Sequence, residues 1–147
     1  MKIKTLFTEF KSKKVLIIGD AMIDAYMLGN IKRMSPEAPV PVVEVEKHEN
    51  RLGGAANVAL NIKSLGATPI LCSVIGQDRQ GAIFKNLMHD FKMSTKGIIT
   101  TNTRKTTVKT RVISDKKHQL RIDEEDTHNI TNENKFLNLI KDPITDI

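Results

Sequence analysis

The sequence predicts an α/β fold, with a parallel sheet, flanking helices and a small β flap. Three observations carry this expectation. Two apolar runs of strand length, residues 14–19 and 69–75, read as strands buried on both faces of a parallel sheet. Helical spacing of apolar residues recurs at 51–66 and 80–91. Between the first strand and the first of these helices lies a proline-bearing, alternating stretch that fits neither core strand nor helix.

Composition agrees. The 147 residues are 39% hydrophobic and 27% charged, as in a soluble globular domain. The longest aliphatic run, Val15-Leu-Ile-Ile18, falls far short of the roughly 20 residues a membrane helix needs. The single cysteine, Cys72, lies in an apolar run, so a buried thiol is expected and no disulfide framework. The lysines at the start precede no apolar signal stretch, and the expected location is cytoplasmic. His48, His89, His118 and His128 are dispersed without metal-ligand spacing and read as surface residues, so no metal site is expected.

The formal net charge of +6 raises nucleic acid as a partner, but the charge is local. Residues 1–14 hold five Lys and one Glu, residues 104–121 hold seven Lys or Arg and one Asp, and residues 123–126 are all acidic. With no Trp and one Tyr, the chain lacks the aromatics that stack on bases. No nucleic-acid partner is expected.

In order, residues 1–13 form an amphipathic lead-in with Ile3, Leu6, Phe7 and Phe10 at helical spacing. The strand at 14–19 ends at Gly19, followed at once by Asp20 and Asp24, where open α/β sheets place their ligands. Gly29-Asn30 reads as a turn, Pro36, Pro39 and Pro41 exclude helix, and 40–46 alternates as an exposed strand does, giving a flap over about 27–48. A helix opening at Arg51 is stopped by Gly66. The second strand follows, then a helix with Phe84, Leu87, Met88 and Phe91 on one face. Thr-rich residues 100–123 read as a hairpin around a polar turn at 114–118, and a closing helix is expected over 131–140.

The glycine-rich stretch Gly53-Gly54-Ala55-Ala56-Asn57 is the most informative feature. At a loop-to-helix junction it lets backbone N–H groups approach an oxygen-rich ligand, or lets the helix pack closely on a strand. It is neither a Walker loop nor a dinucleotide fingerprint.

Gly53-Gly54-Ala55-x-Asn57-x-Ala59, with Gly66 and Gly76 beyond, resembles the N-terminal motif of the ribokinase-like (PfkB) carbohydrate kinases at seven positions over 24 residues. The strand ending Gly19-Asp20-Ala-Met-Ile-Asp24 is similar to that family's opening strand. Arg33-Met-Ser-Pro-Glu-Ala-Pro-Val-Pro resembles the flap of the branch that phosphorylates heptose 7-phosphate. The resemblance implies a sugar-phosphate site built from Asp20, Asp24, Gly53, Gly54 and Asn57. The hairpin cations Lys109, Arg111 and Arg121, with Arg33 in the flap, are phosphate ligands or members of a solvated strand face. It also implies ATP and Mg²⁺ as cofactors of a complete enzyme. The family's Gly-Ala-Gly-Asp motif, which supplies the catalytic base, does not occur in this sequence. The expectation is therefore the N-terminal half of a kinase domain over residues 14–147, inactive alone. Its expected partners are a second copy meeting it through the flap, or a second chain supplying the other half. A non-catalytic binding module and a ribokinase or fructokinase relative are the alternatives.

Overall fold

In the structure, a computed structural model that describes residues 3–130, 137, 138, 140 and 141, helix α1 (Ile3–Phe10) leads into strand β1 (Lys14–Ile18). The long strands β2 (Ala21–Met34) and β3 (Pro41–Gly54) follow as a hairpin, then α2 (Ala55–Ser64), β4 (Thr68–Gly76) and α3 (Arg79–Asp90). Strands β5 (Ile98–Thr101), β6 (Val108–Ser114) and β7 (Lys117–Glu124) complete the described elements. The closing helix expected over 131–140 lies largely outside the described residues.

Two sheets result. The order β1-β4-β5 is parallel at both pairings, which requires the crossovers that α2 and α3 supply. The second sheet has the order β3-β2-β6-β7, antiparallel except where β6 joins β2 in parallel. The flap is thus larger than residues 27–48: it starts at Ala21, ends at Gly54 and takes in the 108–124 hairpin. Alternation in β6, whose Val108, Thr110, Val112 and Ser114 are buried while the residues between are half-buried, is what places that hairpin on the flap.

One core serves both sheets. Ile23 of β2, Leu52 of β3, Ile75 of β4, Phe84 and Met88 of α3 and Val108 of β6 are packed together with Ala56 and Ala59 of α2. Phe84 and Met88 are completely buried, each stabilising by about 1.5–3 kcal/mol. The small alanines let α2 lie close against β1 and β4. Cys72 is buried as expected, and burial pushes its thiol pKa up.

Three local expectations change. Gly29-Asn30 is no turn: it sits inside β2 at a break in register between Leu28 and Gly29, and a Cβ at Gly29 would come within 2.1 Å of the Glu44 carbonyl oxygen. The chain instead reverses at residues 35–40, where Ser35 N–H donates to Val40 at 2.8 Å. Second, α2 starts at Ala55, because residues 51–54 are taken up pairing with β2 as far as Ala21↔Gly54. Third, β1 is not buried on both faces: among the described residues it ends its sheet, and Ile18 is 53% exposed. The β6–β7 turn carries φ of 52° at Asp115 and 61° at Lys116, the twist that tight hairpins favour.

Candidate functional site

Register across the flap gathers the charges of four strands onto one face. Asp24 lies opposite Arg51 on one side and Lys109 on the other, and Lys109 lies opposite Asp123. The next row on that face runs Glu49, Tyr26, Arg111, Arg121. Contacts between the rows run diagonally from β6 to β2 and lengthwise within β3 and β7. Arg111 Nη1 donates to Asp24 Oδ1 at 2.5 Å, Arg51 Nε to Glu49 at 2.6 Å, and Arg121 Nη2 to Asp123 at 2.9 Å. Lys109 Nζ bridges Asp123 at 3.1 Å and Glu125 at 2.8 Å. The guanidinium groups of Arg51 and Arg111 both stand over the Tyr26 ring, 4.7 and 5.5 Å from its centroid.

These pairings set the electrostatics. The hydrogen bond to Asp24 holds the Arg111 guanidinium above its ordinary pKa, and bonds to Glu125 and Asp123 do the same for Lys109. Asp123 is held below the usual carboxylate range by Lys109 and then Arg121. Within the acidic run at 123–126, Asp123 and Glu125 therefore neutralise Lys109 and Arg121.

The two glycines serve the strand side of the junction. A Cβ at Gly53 would lie 2.7 Å from Asp24 Oδ2, so the carboxylate rests directly over that residue. Gly54 has φ of 56°, and a Cβ there would meet the Asp20 carbonyl oxygen at 2.3 Å. That carbonyl accepts from Ala55 N–H at 2.9 Å, so the backbone of Asp20, not its side chain, caps α2. Close packing of helix on strand is realised here, with Asp24 facing the gap it creates.

Two groups that sequence reading missed fix the frame. Buried Ser73 donates to the Gly19 carbonyl at 2.7 Å and accepts from Ala21 N–H at 3.0 Å, tying the β1–β2 junction that carries Asp20 to β4. Asp78, the N-cap of α3, accepts from Gly81 N–H at 2.7 Å, Thr106 N–H at 2.8 Å and the Thr106 hydroxyl at 2.8 Å. Burial pushes the Asp78 carboxyl up, but its hydrogen bonds outweigh this and hold it below the ordinary value. Asp78 was detectable as an Asp two residues before the helical pattern at 80–91. Ser73 had no local signal.

Cavities flank β2 from Asp20 to Asp24. On the β3 side, one of about 490 Å³ is lined by Asp24, Arg51, Asn57, Leu60 and Leu87. On the β6–β7 side, one of about 500 Å³ is lined by Asp20, Met22, Arg104, Thr107, Glu125 and Asp126. The structure thus brings Asp24, Gly53, Asn57, Lys109, Arg111 and Arg121 together around the flap root, with Asp20 on the adjoining side. Arg33 is apart: it lies nine positions up β2 from Asp24, roughly 30 Å at about 3.3 Å per residue. Among the described residues no three His, Cys, Asp or Glu side chains are grouped to hold a metal ion. No helix among them is long and apolar enough to cross a membrane.

The parallel β1-β4-β5 sheet, the four-stranded flap and the flanking helices make an α/β fold whose flap root gathers carboxylates and paired cations. The chain belongs to the pfkB family of carbohydrate kinases, whose pattern residues 12–142 match. It is 49% identical over 113 residues to the bifunctional protein HldE of Helicobacter pylori strain P12, covering 77% of this chain and 24% of that protein. It is 46% identical over 123 residues to the bifunctional protein HldE of Haemophilus influenzae strain PittEE, covering 83% of this chain and 26% of that one. The chain thus spans about a quarter of the length of these relatives. In fold it is similar to the fructokinase of Xylella fastidiosa, with a TM-score of 0.55 and 23% identity over 78% of this chain and 33% of that one.

Proposed function

We propose that this chain carries the sugar-phosphate-binding part of a kinase that transfers the ATP γ-phosphate to the anomeric hydroxyl of heptose 7-phosphate. The observation that carries the reading is the Asp24 carboxylate, resting over Gly53 and held by Arg111 at the flap root. A sugar offers hydroxyl donors in a row, and Asp20 and Asp24 offer carboxylate acceptors four residues apart on β2 and the turn before it. Asn57, on the first turn of α2, adds an amide that both donates and accepts. Arg111 orients the Asp24 carboxylate as an acceptor, while Lys109 and Arg121 are held by Asp123 beside it.

The choice of sugar rests on the flap segment Arg33-Met-Ser-Pro-Glu-Ala-Pro-Val-Pro, and the similarity to HldE proteins supports it. ATP is consistent with the family, and the Xylella fructokinase was solved with ATP bound. Bound ATP supplies the phosphoryl group, and Mg²⁺ would serve with it. The residues here orient the sugar and exclude water from it. With no Gly-Ala-Gly-Asp in this sequence, the base that takes the hydroxyl proton comes from elsewhere in the complete enzyme.

Calorimetry of the purified chain with heptose 7-phosphate, fructose 6-phosphate and ribose tests this. Heptose 7-phosphate should bind most tightly, and Asp24→Asn should weaken it by at least about tenfold, the loss of one charged hydrogen bond. Equal binding by wild type and Asp24→Asn, or preference for ribose, would overturn the reading.

A further inference from the structure

The hairpin cations face Asp24, yet Lys109, Arg111 and Arg121 each sit against a carboxylate of this chain. A phosphate bound there has to displace those partners. Arg104 differs. It is half-buried, Nη2 donates to the Asp126 carbonyl at 2.9 Å, and no carboxylate pairs with it among the described residues.

Arg104 stands where two cavities meet. The larger, of about 500 Å³, holds the carboxylates of Asp20, Glu125 and Asp126 and is rich in acceptors. The smaller, of about 230 Å³, lies at the carboxyl ends of β4 and β5. It is lined by Arg104, His128, Gln77, Asn102, Asn129 and Thr101, with no Asp or Glu among its described lining residues. His128 and Asn129 border both. Lys85, also without a carboxylate partner among the described residues, donates to the hydroxyl of Thr100 on the same wall at 2.7 Å. One chamber thus suits hydroxyl donors and its neighbour, carrying guanidinium, amides and a hydroxyl, suits an anion.

The loop bearing Arg104 is fixed on its far side. Lys105 N–H donates to the Asp126 carboxylate at 2.8 Å, and Asp78 grips the Thr106 N–H and hydroxyl. Little ordering of this loop remains for a ligand to impose.

We infer that the smaller cavity is the subsite for the substrate's phosphate group and that Arg104 is its principal ligand, the sugar hydroxyls lying toward Asp20 and Asp24. This rests on the sugar-phosphate reading above and names the end of the molecule that each chamber takes.

The test combines calorimetry with amide NMR of the labelled chain, using heptose 7-phosphate, unphosphorylated heptose and inorganic phosphate. Arg104→Gln should weaken heptose 7-phosphate by at least about tenfold while leaving heptose unchanged, and Arg104→Lys should fall between, keeping charge without the fork. Inorganic phosphate should shift the amides of residues 101–104 and 129 in the wild type and not in Arg104→Gln. The subsite is overturned if Arg104→Gln weakens heptose and its phosphate equally, if the phosphate-induced shifts survive it, or if Lys109→Gln carries the loss instead. Should heptose 7-phosphate fail to bind the wild type while inorganic phosphate still moves these amides through Arg104, the sugar reading fails and the anion subsite stands. A well-dispersed spectrum for Arg104→Lys guards against reading misfolding as lost affinity.

Discussion

Arg111 and Asp24, 87 positions apart in the chain, meet as a hydrogen-bonded ion pair across the parallel junction of β6 and β2. Both side chains are about three-quarters withdrawn from water, at 23% and 22% exposure, so solvent screens the pair only in part. A double-mutant cycle with Asp24→Asn and Arg111→Gln should return a coupling of about 1–3 kcal/mol in urea unfolding. A coupling indistinguishable from zero means that the pair does not hold the carboxylate in place.

The Asp78–Thr106 clamp predicts an acid-sensitive term in stability. The folded carboxyl lies below its unfolded value, so its contribution is complete above about pH 4 and is lost as pH falls through the lowered folded value. Asp78→Asn should cost about 1–3 kcal/mol at neutral pH and flatten the stability profile below about pH 4. Unfolding midpoints measured from pH 2 to 7 check both, and an unchanged acid limb in the variant counts against the clamp.

Gly54→Ala should be more damaging than Gly53→Ala in the folded chain, for a reason each backbone states. Gly54 combines φ of 56° with a Cβ position 2.3 Å from a carbonyl oxygen, and neither can relax without moving β2 from α2. A loss of about 2–4 kcal/mol is expected. At Gly53 the nearest atom is the Asp24 carboxylate at 2.7 Å, so Gly53→Ala should displace that side chain and show mainly as weakened sugar-phosphate binding. Thermal melts and calorimetry separate the two; the opposite ranking would contradict the packing described.

Ser73→Ala removes the one side chain that satisfies both Gly19 C=O and Ala21 N–H, at a cost of about 1–3 kcal/mol. Hydrogen exchange at Ala21 should accelerate in the variant, more than at Leu71 on the same β4 strand. Equal protection at both positions would remove Ser73 from the account of how Asp20 is placed.

Local pattern made much of this legible before any coordinates. The apolar runs, the Gly66 stop and the hairpin carry their signals within a few residues, and Asp24, Gly53 and Asn57 fall inside a spaced motif. What sequence withheld depended on register. That Lys109 and Arg111 share a face with Asp24 follows only from the parallel β2–β6 pairing, which no stretch of neighbouring residues encodes. The antiparallel β6–β7 pairing likewise sets Asp123 opposite Lys109 as a counter-charge. Gly29 misled for a related reason: a glycine in a bulge and a glycine in a turn look alike until the opposing strand is known. Ser73 acts on backbone groups more than 50 positions away.

The rows of alternating charge on the flap bear on how a substrate arrives. Arg51, Asp24, Lys109 and Asp123 sum to nothing, and the single excess positive charge of Glu49, Arg111 and Arg121 is offset by Glu125 beside Lys109, so the face offers an incoming anion a pattern of dipoles and little net field. Long-range attraction fades quickly over such a surface, and capture is then governed by collision and fit. Association should accordingly vary little with ionic strength, in a protein whose overall positive charge would suggest the reverse.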